Sequence, residues 1–269
     1  LYATELDQPH DWFYTGDGVK LAVLLSERPY GDLYDGVPES PGVGDPIDIE
    51  DIRDGSATTV GTNPYAMLAS VKTSNGRLDT AMGRDQGAAP DALLYMADGD
   101  DTQGNVEDWA RGKDALVYVY GRGATSAAAG NGSFHDFVVD YKTRELPCLT
   151  TGCMHYVGSA GNRNAQGEPS YDSCSPTSGD YVQNKFYNGL VVGGSSTGTT
   201  NDWRDDYVYT CSSWQNKSNT DWELPSLVAP ATGVDTGGLR SEEGTSLAAS
   251  IVGGLIAILL EKNTYLRFY

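Results

Sequence analysis

The chain has 269 residues, 39% hydrophobic and 20% charged, enough apolar material for one large domain or two small ones with a sizeable core. Its formal net charge of -19 at pH 7 argues against a nucleic-acid-binding surface or one that docks on anionic membranes. That charge suits a soluble extracellular or cation-rich setting, and halophilic adaptation gives the same signature.

Residues 1–18 are polar and aromatic without a period and read as an N-terminal surface arm. The apolar run Val19–Leu25 reads as a buried parallel strand. Residues 28–56 hold Pro38, Pro41 and Pro46 beside Asp45, Asp48, Glu50, Asp51 and Asp54, and read as an acidic loop insertion. Such a loop is either a solvated face or a set of oxygen ligands for Ca²⁺; no other cofactor is expected. A helix is expected over 60–72 after Pro64, then a strand over 92–97, a helix over 105–112 and a strand over 115–120. Residues 134–141 read as helical, and 154–160, 190–194 and 227–229 as strands. No stretch reaches the roughly 18 apolar residues of a membrane span, 251–260 being too short.

Near the end, Glu243-Gly244-Thr245-Ser246 opens into an almost wholly apolar helix. Ser246 falls in its first turn, where free N–H groups and the helix dipole favour developing negative charge. That suits a nucleophilic hydroxyl; the plainer alternative is that Thr245 or Ser246 merely caps the helix. Alternating short strands and helices imply an α/β fold with a parallel, doubly wound sheet. Without repeats or a linker, residues 1–269 read as a single domain.

Cys148, Cys153, Cys174 and Cys211 are even in number and irregularly spaced, as two disulfides would be; a zinc site is the alternative, though C-x2-C pairs are missing. The sequons at Asn131 and Asn216 lie in polar stretches and are candidate glycosylation sites. Together these features point outside the cell. The chain opens at Leu1, as a processed protein or a fragment would, so the lack of a signal peptide does not bear on secretion.

Five stretches in order resemble the subtilisin-like serine proteases, the peptidase S8 family. Val19–Ser26 is similar to the family's first core strand, and Gly87-Ala88-Ala89-Pro90-Asp91-Ala92-Leu93-Leu94 to its G-V-A-P segment. Gly158-Ser159-Ala160-Gly161-Asn162 resembles A-A-G-N, and Leu227-Val228-Ala229-Pro230 the A-P-G strand. Gly244-Thr245-Ser246-Leu247-Ala248-Ala249-Ser250 resembles the nucleophile motif G-T-S-M-A-x-P. The resemblance implies a three-layer fold with a central, mostly parallel sheet flanked by helices. It makes Ser246 the nucleophile position and Asn162 the oxyanion donor, worth roughly 3–4 kcal/mol in an active enzyme; as a plain turn residue, Asn162 would only tolerate a left-handed backbone.

The same comparison puts Leu25 where the family has its triad Asp and Val60 where it has its His. Neither side chain can accept or relay a proton, so the serine lacks its base. Ser250 replaces the motif's closing proline, and Tyr120-Gly121-Arg122-Gly123 stands for the substrate-binding S-L-G-G, where Tyr and Arg would crowd or re-charge the cleft. The expectation is a catalytically inactive, secreted domain serving as a structural or interaction module among other protein chains. The alternative is an active endopeptidase with a relocated base, His135 or His155 within reach of Ser246; a third reading is an acid-active carboxyl-serine hydrolase that uses Glu27 or Asp32 and cleaves only at low pH.

Overall fold

The computed structural model describes residues 14–25, 28–29, 47–51, 60–61, 88–89, 91–98, 103–121, 153–162, 182, 184, 189–196, 203–213, 224–232 and 243–268. The strands are β1 (Lys20–Leu25), β2 (Arg28–Pro29), β3 (Ile47–Asp51), β4 (Val60–Gly61) and β5 (Leu93–Asp98), followed by β6 (Val117–Tyr120) and β7 (His155–Ser159). Then come β8 (Leu190–Ser196), β9 (Tyr207–Val208) and β10 (Leu227–Pro230). Helix α1 (Gln103–Gly112) precedes β6, and α2 (Thr245–Lys262) follows β10.

One sheet runs β10-β8-β7-β6-β1-β5-β3, parallel throughout, with β9 antiparallel on β8; β2 and β4 form a separate parallel pair. Strand β1 sits in its middle because KLAVLL is apolar on both faces. Leu21 and Val23 join the core beneath α2, while Ala22 and Leu24 join the core on the other face, with Ala110 of α1. Helix α2 is buried almost all round, from Thr245 through Gly254 and again at Ala257, Ile258 and Leu260. By length and composition the 18 residues of α2 could cross a membrane, a longer apolar span than 251–260 alone. Its packing against β1, β6, β7, β8 and β10 is that of a core helix.

The chain order β-α-β and the parallel sheet agree with the expected α/β class. Two local expectations need correction. The segment 28–56 is not all loop: Ile47–Asp51 is the edge strand β3, in register with β5 from Ile47↔Leu94 to Asp51↔Asp98. Its Ile-Asp-Ile-Glu alternation is the period-2 signal of an edge strand, masked by the surrounding prolines and acids. Val60–Gly61, expected to open a helix, instead pairs with Arg28–Pro29. The helix expected over 134–141 and the remainder of 62–72 lie outside the described residues.

Candidate active site

Parallel strands carry their sites at their carboxyl ends, and α2 begins there. Gly244 N–H donates to Ala231 O at 2.8 Å, just past β10, so the helix start is pinned to the end of the sheet. Gly244 adopts φ 147°, ψ 155°, a conformation that a side chain would strain, and it offers no side chain to cap α2. The plainer alternative, in which Thr245 or Ser246 caps the helix, is therefore not what is seen: the residue at the cap is Gly244, and both residues lie inside the helix.

The turn after β7 closes on this point. Ala160 N–H donates to Val192 O (2.8 Å), Ser213 N–H to Gly161 O (2.9 Å), and Asn162 bridges to Ser212. Gly161 takes φ 98°, which turns the backbone so that Asn162 faces α2. Asn162 Oδ1 accepts the Thr245 N–H at 3.0 Å and the Thr245 hydroxyl at 3.2 Å; Gly161 N–H donates to that hydroxyl at 3.1 Å. With Oδ1 engaged, the amide nitrogen of Asn162 is turned away from Thr245, and among the described residues it donates no hydrogen bond.

Ser246 is the second residue of α2 and is 5% exposed. Its carbonyl accepts the Ser250 hydroxyl at 2.9 Å. Where the family pattern has proline, Ser250 thus bonds back one turn, a habit of serine inside helices, and α2 runs on unbroken. The structure brings Asn162 to the Ser246 turn, where it bonds the residue next to Ser246.

The two residues that the resemblance sets at the triad Asp and His positions fall as follows. Leu25 is the last residue of β1, at the same carboxyl end of the sheet as Asn162; β6 alone separates β1 from β7, so the two strands lie about 10 Å apart. In register beside Leu25 is Asp98, an acid at the end of β5. Val60 pairs with Arg28, three residues beyond Leu25, which places it next to the exit of β1.

His155 does not supply a base. It opens β7 at the amino end, and its Nε2 lies 3.2 Å from Leu266 O, beyond the far end of α2. The 18 residues of α2 separate the two ends by roughly 27 Å, so the relocated-base reading fails for His155. His10, His135, Glu27 and Asp32 lie outside the described residues, as do Cys148, Cys174, Asn131 and Asn216. Cys153 and Cys211 are buried, and neither is a free thiol. Among the described residues no three His, Cys, Asp or Glu side chains converge as a metal site would require. The side chains of the acidic segment 45–54 are outside the described set.

Two further groups were not legible in the sequence. Glu243, directly before Gly244, is half-buried, and the Tyr209 hydroxyl reaches its Oε2 at 3.4 Å. Tyr120, expected to crowd the cleft, is instead a core residue. Its ring packs 6.2 Å from Tyr156 and 6.4 Å from Tyr118 in the layer beneath α1. Burial, followed by the nearby Glu107, Tyr156 and Tyr120, pushes the Tyr118 phenol well above its ordinary 10.0.

The site's framework is a parallel α/β sheet with a Gly-Thr-Ser helix start at its carboxyl end and an Asn turn facing it. The model of the subtilase family, Peptidase_S8, matches residues 65–268, and the chain belongs to that family. Solved structures are similar in fold at low identity. A cold adapted subtilisin-like serine proteinase superposes with a TM-score of 0.54 and 18% identity, over 93% of this chain and 78% of that one. MycP1 with its N-terminal propeptide removed gives 0.57 and 18%, over 99% and 85%. The prenylagaramide maturation protease PagA gives 0.55 and 14%, over 97% and 81%. No curated protein matches by sequence.

Proposed function

We propose that this subtilase domain is catalytically inactive and works as a secreted scaffold or interaction module among other protein chains. The observation that carries the reading is Leu25 at the carboxyl end of β1, with Val60 beside the exit of that strand. A serine hydroxyl without a base and an acid is a poor nucleophile, and an oxyanion donor alone leaves orders of magnitude less acceleration than a full triad. The near-complete burial of Ser246 and the remoteness of His155 support it. Disulfides from the four cysteines, glycans at Asn131 and Asn216, and extracellular residence belong to the same proposal; the high acidity suits them.

One observation favours a second reading, an active serine endopeptidase whose base comes from elsewhere in the chain: the Asn162 amide keeps its donor end available beside the Ser246 turn. Peptide hydrolysis across pH 4–9 separates the two. The inactive reading expects the purified domain and its Ser246→Ala variant to hydrolyse alike; turnover that vanishes with Ser246→Ala refutes it.

A further inference from the structure

An inactive domain has no use for an oxyanion donor, yet Asn162 and the Gly-Thr-Ser turn are both present. The hydrogen bonds at this point supply a different use. Every helix begins with N–H groups that lack intrahelical partners, and usually the side chain of the residue before it accepts one. In α2 that residue is Gly244, which has none, and no side-chain cap is made locally. The orphan N–H of Thr245 is taken instead by Asn162 Oδ1, a residue 83 positions earlier in the chain.

We infer that Asn162 is a helix cap supplied across the fold, and that Thr245 and Asn162 together form a clasp joining the β7 turn to α2. The clasp has three linked bonds. Gly161 N–H donates to Thr245 Oγ1, the Thr245 hydroxyl donates to Asn162 Oδ1, and the Thr245 amide donates to the same oxygen. The Thr245 amide and hydroxyl and the Gly161 N–H therefore each have a partner in a region where Thr245 is 1% exposed. The clasp ties the carboxyl end of a central strand to the amino end of the core helix, which is the junction that holds the two layers in register. It uses only the acceptor end of the asparagine, whereas oxyanion stabilisation uses only the donor end.

That separation makes the inference testable. Aspartate at 162 keeps an acceptor oxygen, and its charge is welcome at a helix amino end; it removes the donor. Alanine removes both, and Thr245→Val removes the hydroxyl while keeping the shape. The clasp acts whether or not Ser246 reacts; that it is the whole present role of Asn162 rests on the inactive reading above. The experiment is thermal unfolding of the intact domain and its variants, with amide exchange at Thr245 and fluorophosphonate labelling of Ser246 measured in parallel.

For Asn162→Ala, Tm should fall by about 4–8 °C and Thr245 exchange should speed up at least tenfold. Thr245→Val should fall by about half as much, and Asn162→Asp should stay within about 2 °C of the parent with Thr245 still protected. Asn162→Asp falling as far as Asn162→Ala, or Asn162→Ala unfolding at the parent temperature, overturns the clasp. If the parent is labelled and Asn162→Asp is not, with Tm preserved, the clasp stands and the inactive reading fails.

Discussion

Helix α2 carries Ser246, so how closely it sits on its neighbours determines where that turn lies, and Gly254 tests this seat. A Cβ at position 254 would lie 2.6 Å from Ala88 Cβ, 3.2 Å from Ala89 N and 3.4 Å from Ala88 C. The ordinary contact distance is 3.4 Å or more, so the methyl would be driven about 1 Å too far into Ala88. Neither obstacle can rotate away, because one is a Cβ fixed to its backbone and the other is backbone itself. Gly254→Ala gains about 1 kcal/mol of helix propensity. Overpacking costs about 1–3 kcal/mol, and the rigid contact puts the cost at the upper end. The net is a loss of about 1–2 kcal/mol, or a Tm fall of about 2–8 °C. Removing the opposing methyl should relieve it: in Gly254→Ala with Ala88→Gly, the methyl passes from one side of the contact to the other. The double variant should be more stable than the sum of the singles by at least about 1 kcal/mol in a chemical-denaturation cycle. A Gly254→Ala variant that is stabilised, or a cycle that is additive, would show that α2 does not sit where the contact places it.

Two other predictions concern groups distant from the Ser246 turn. Glu261 Oε2 accepts the backbone N–H groups of Thr15 (2.8 Å) and Gly16 (2.6 Å), holding the segment before β1 to the end of α2. Glu261→Ala should cost about 1–2 kcal/mol, the charge-assisted bonds being discounted for half-exposure, and should speed amide exchange at Thr15 and Gly16; unchanged exchange contradicts it. The buried Tyr118 hydroxyl has no hydrogen-bond partner among the described residues, so Tyr118→Phe should leave stability unchanged or raise it by about 1 kcal/mol. The raised phenol ionises less readily in the folded state, so its contribution is complete below pH 10.0 and is lost as pH rises above it. Denaturant titrations at pH 10 and 11 should show a shallower loss in Tyr118→Phe than in the parent, and equal slopes would refute the burial argument.

The sheet was legible where apolar runs are continuous. LAVLL in β1, VYVY at β6 and the long apolar helix after Gly-Thr-Ser all stand near their expected places because burial on both faces demands nearly uninterrupted apolar sequence. At the edges that demand lapses. Strand β3 carries acids at Asp48, Glu50 and Asp51 beside its two isoleucines, and β9 is two exposed residues, Tyr207 and Val208, with no pattern to read. The candidate site divided in the same way. Of the residues that motif order singles out, Ser246 stands in the first turn of the core helix, Asn162 follows β7, Leu25 ends β1, and Val60 lies in the separate short strand β4. What Asn162 touches was not legible, since its partner is 83 residues away and is chosen by the closing of the fold. Strand direction decided His155: the sequence put it on the strand leading to Asn162, but only the parallel sheet shows that the strand begins at the opposite end from Ser246. Tyr120 misled because it stands at a cleft position in the family pattern, while the alternation of β6 turns it with Tyr118 into the α1 layer.

The central claim is that Ser246 retains the position of a nucleophile without its reactivity. Intact-mass spectrometry after incubation of the folded domain with a fluorophosphonate probe tests it most directly, with Ser246→Ala as the control. The account predicts no adduct on the parent beyond that seen on Ser246→Ala. One probe per chain, mapped to Ser246, would contradict it.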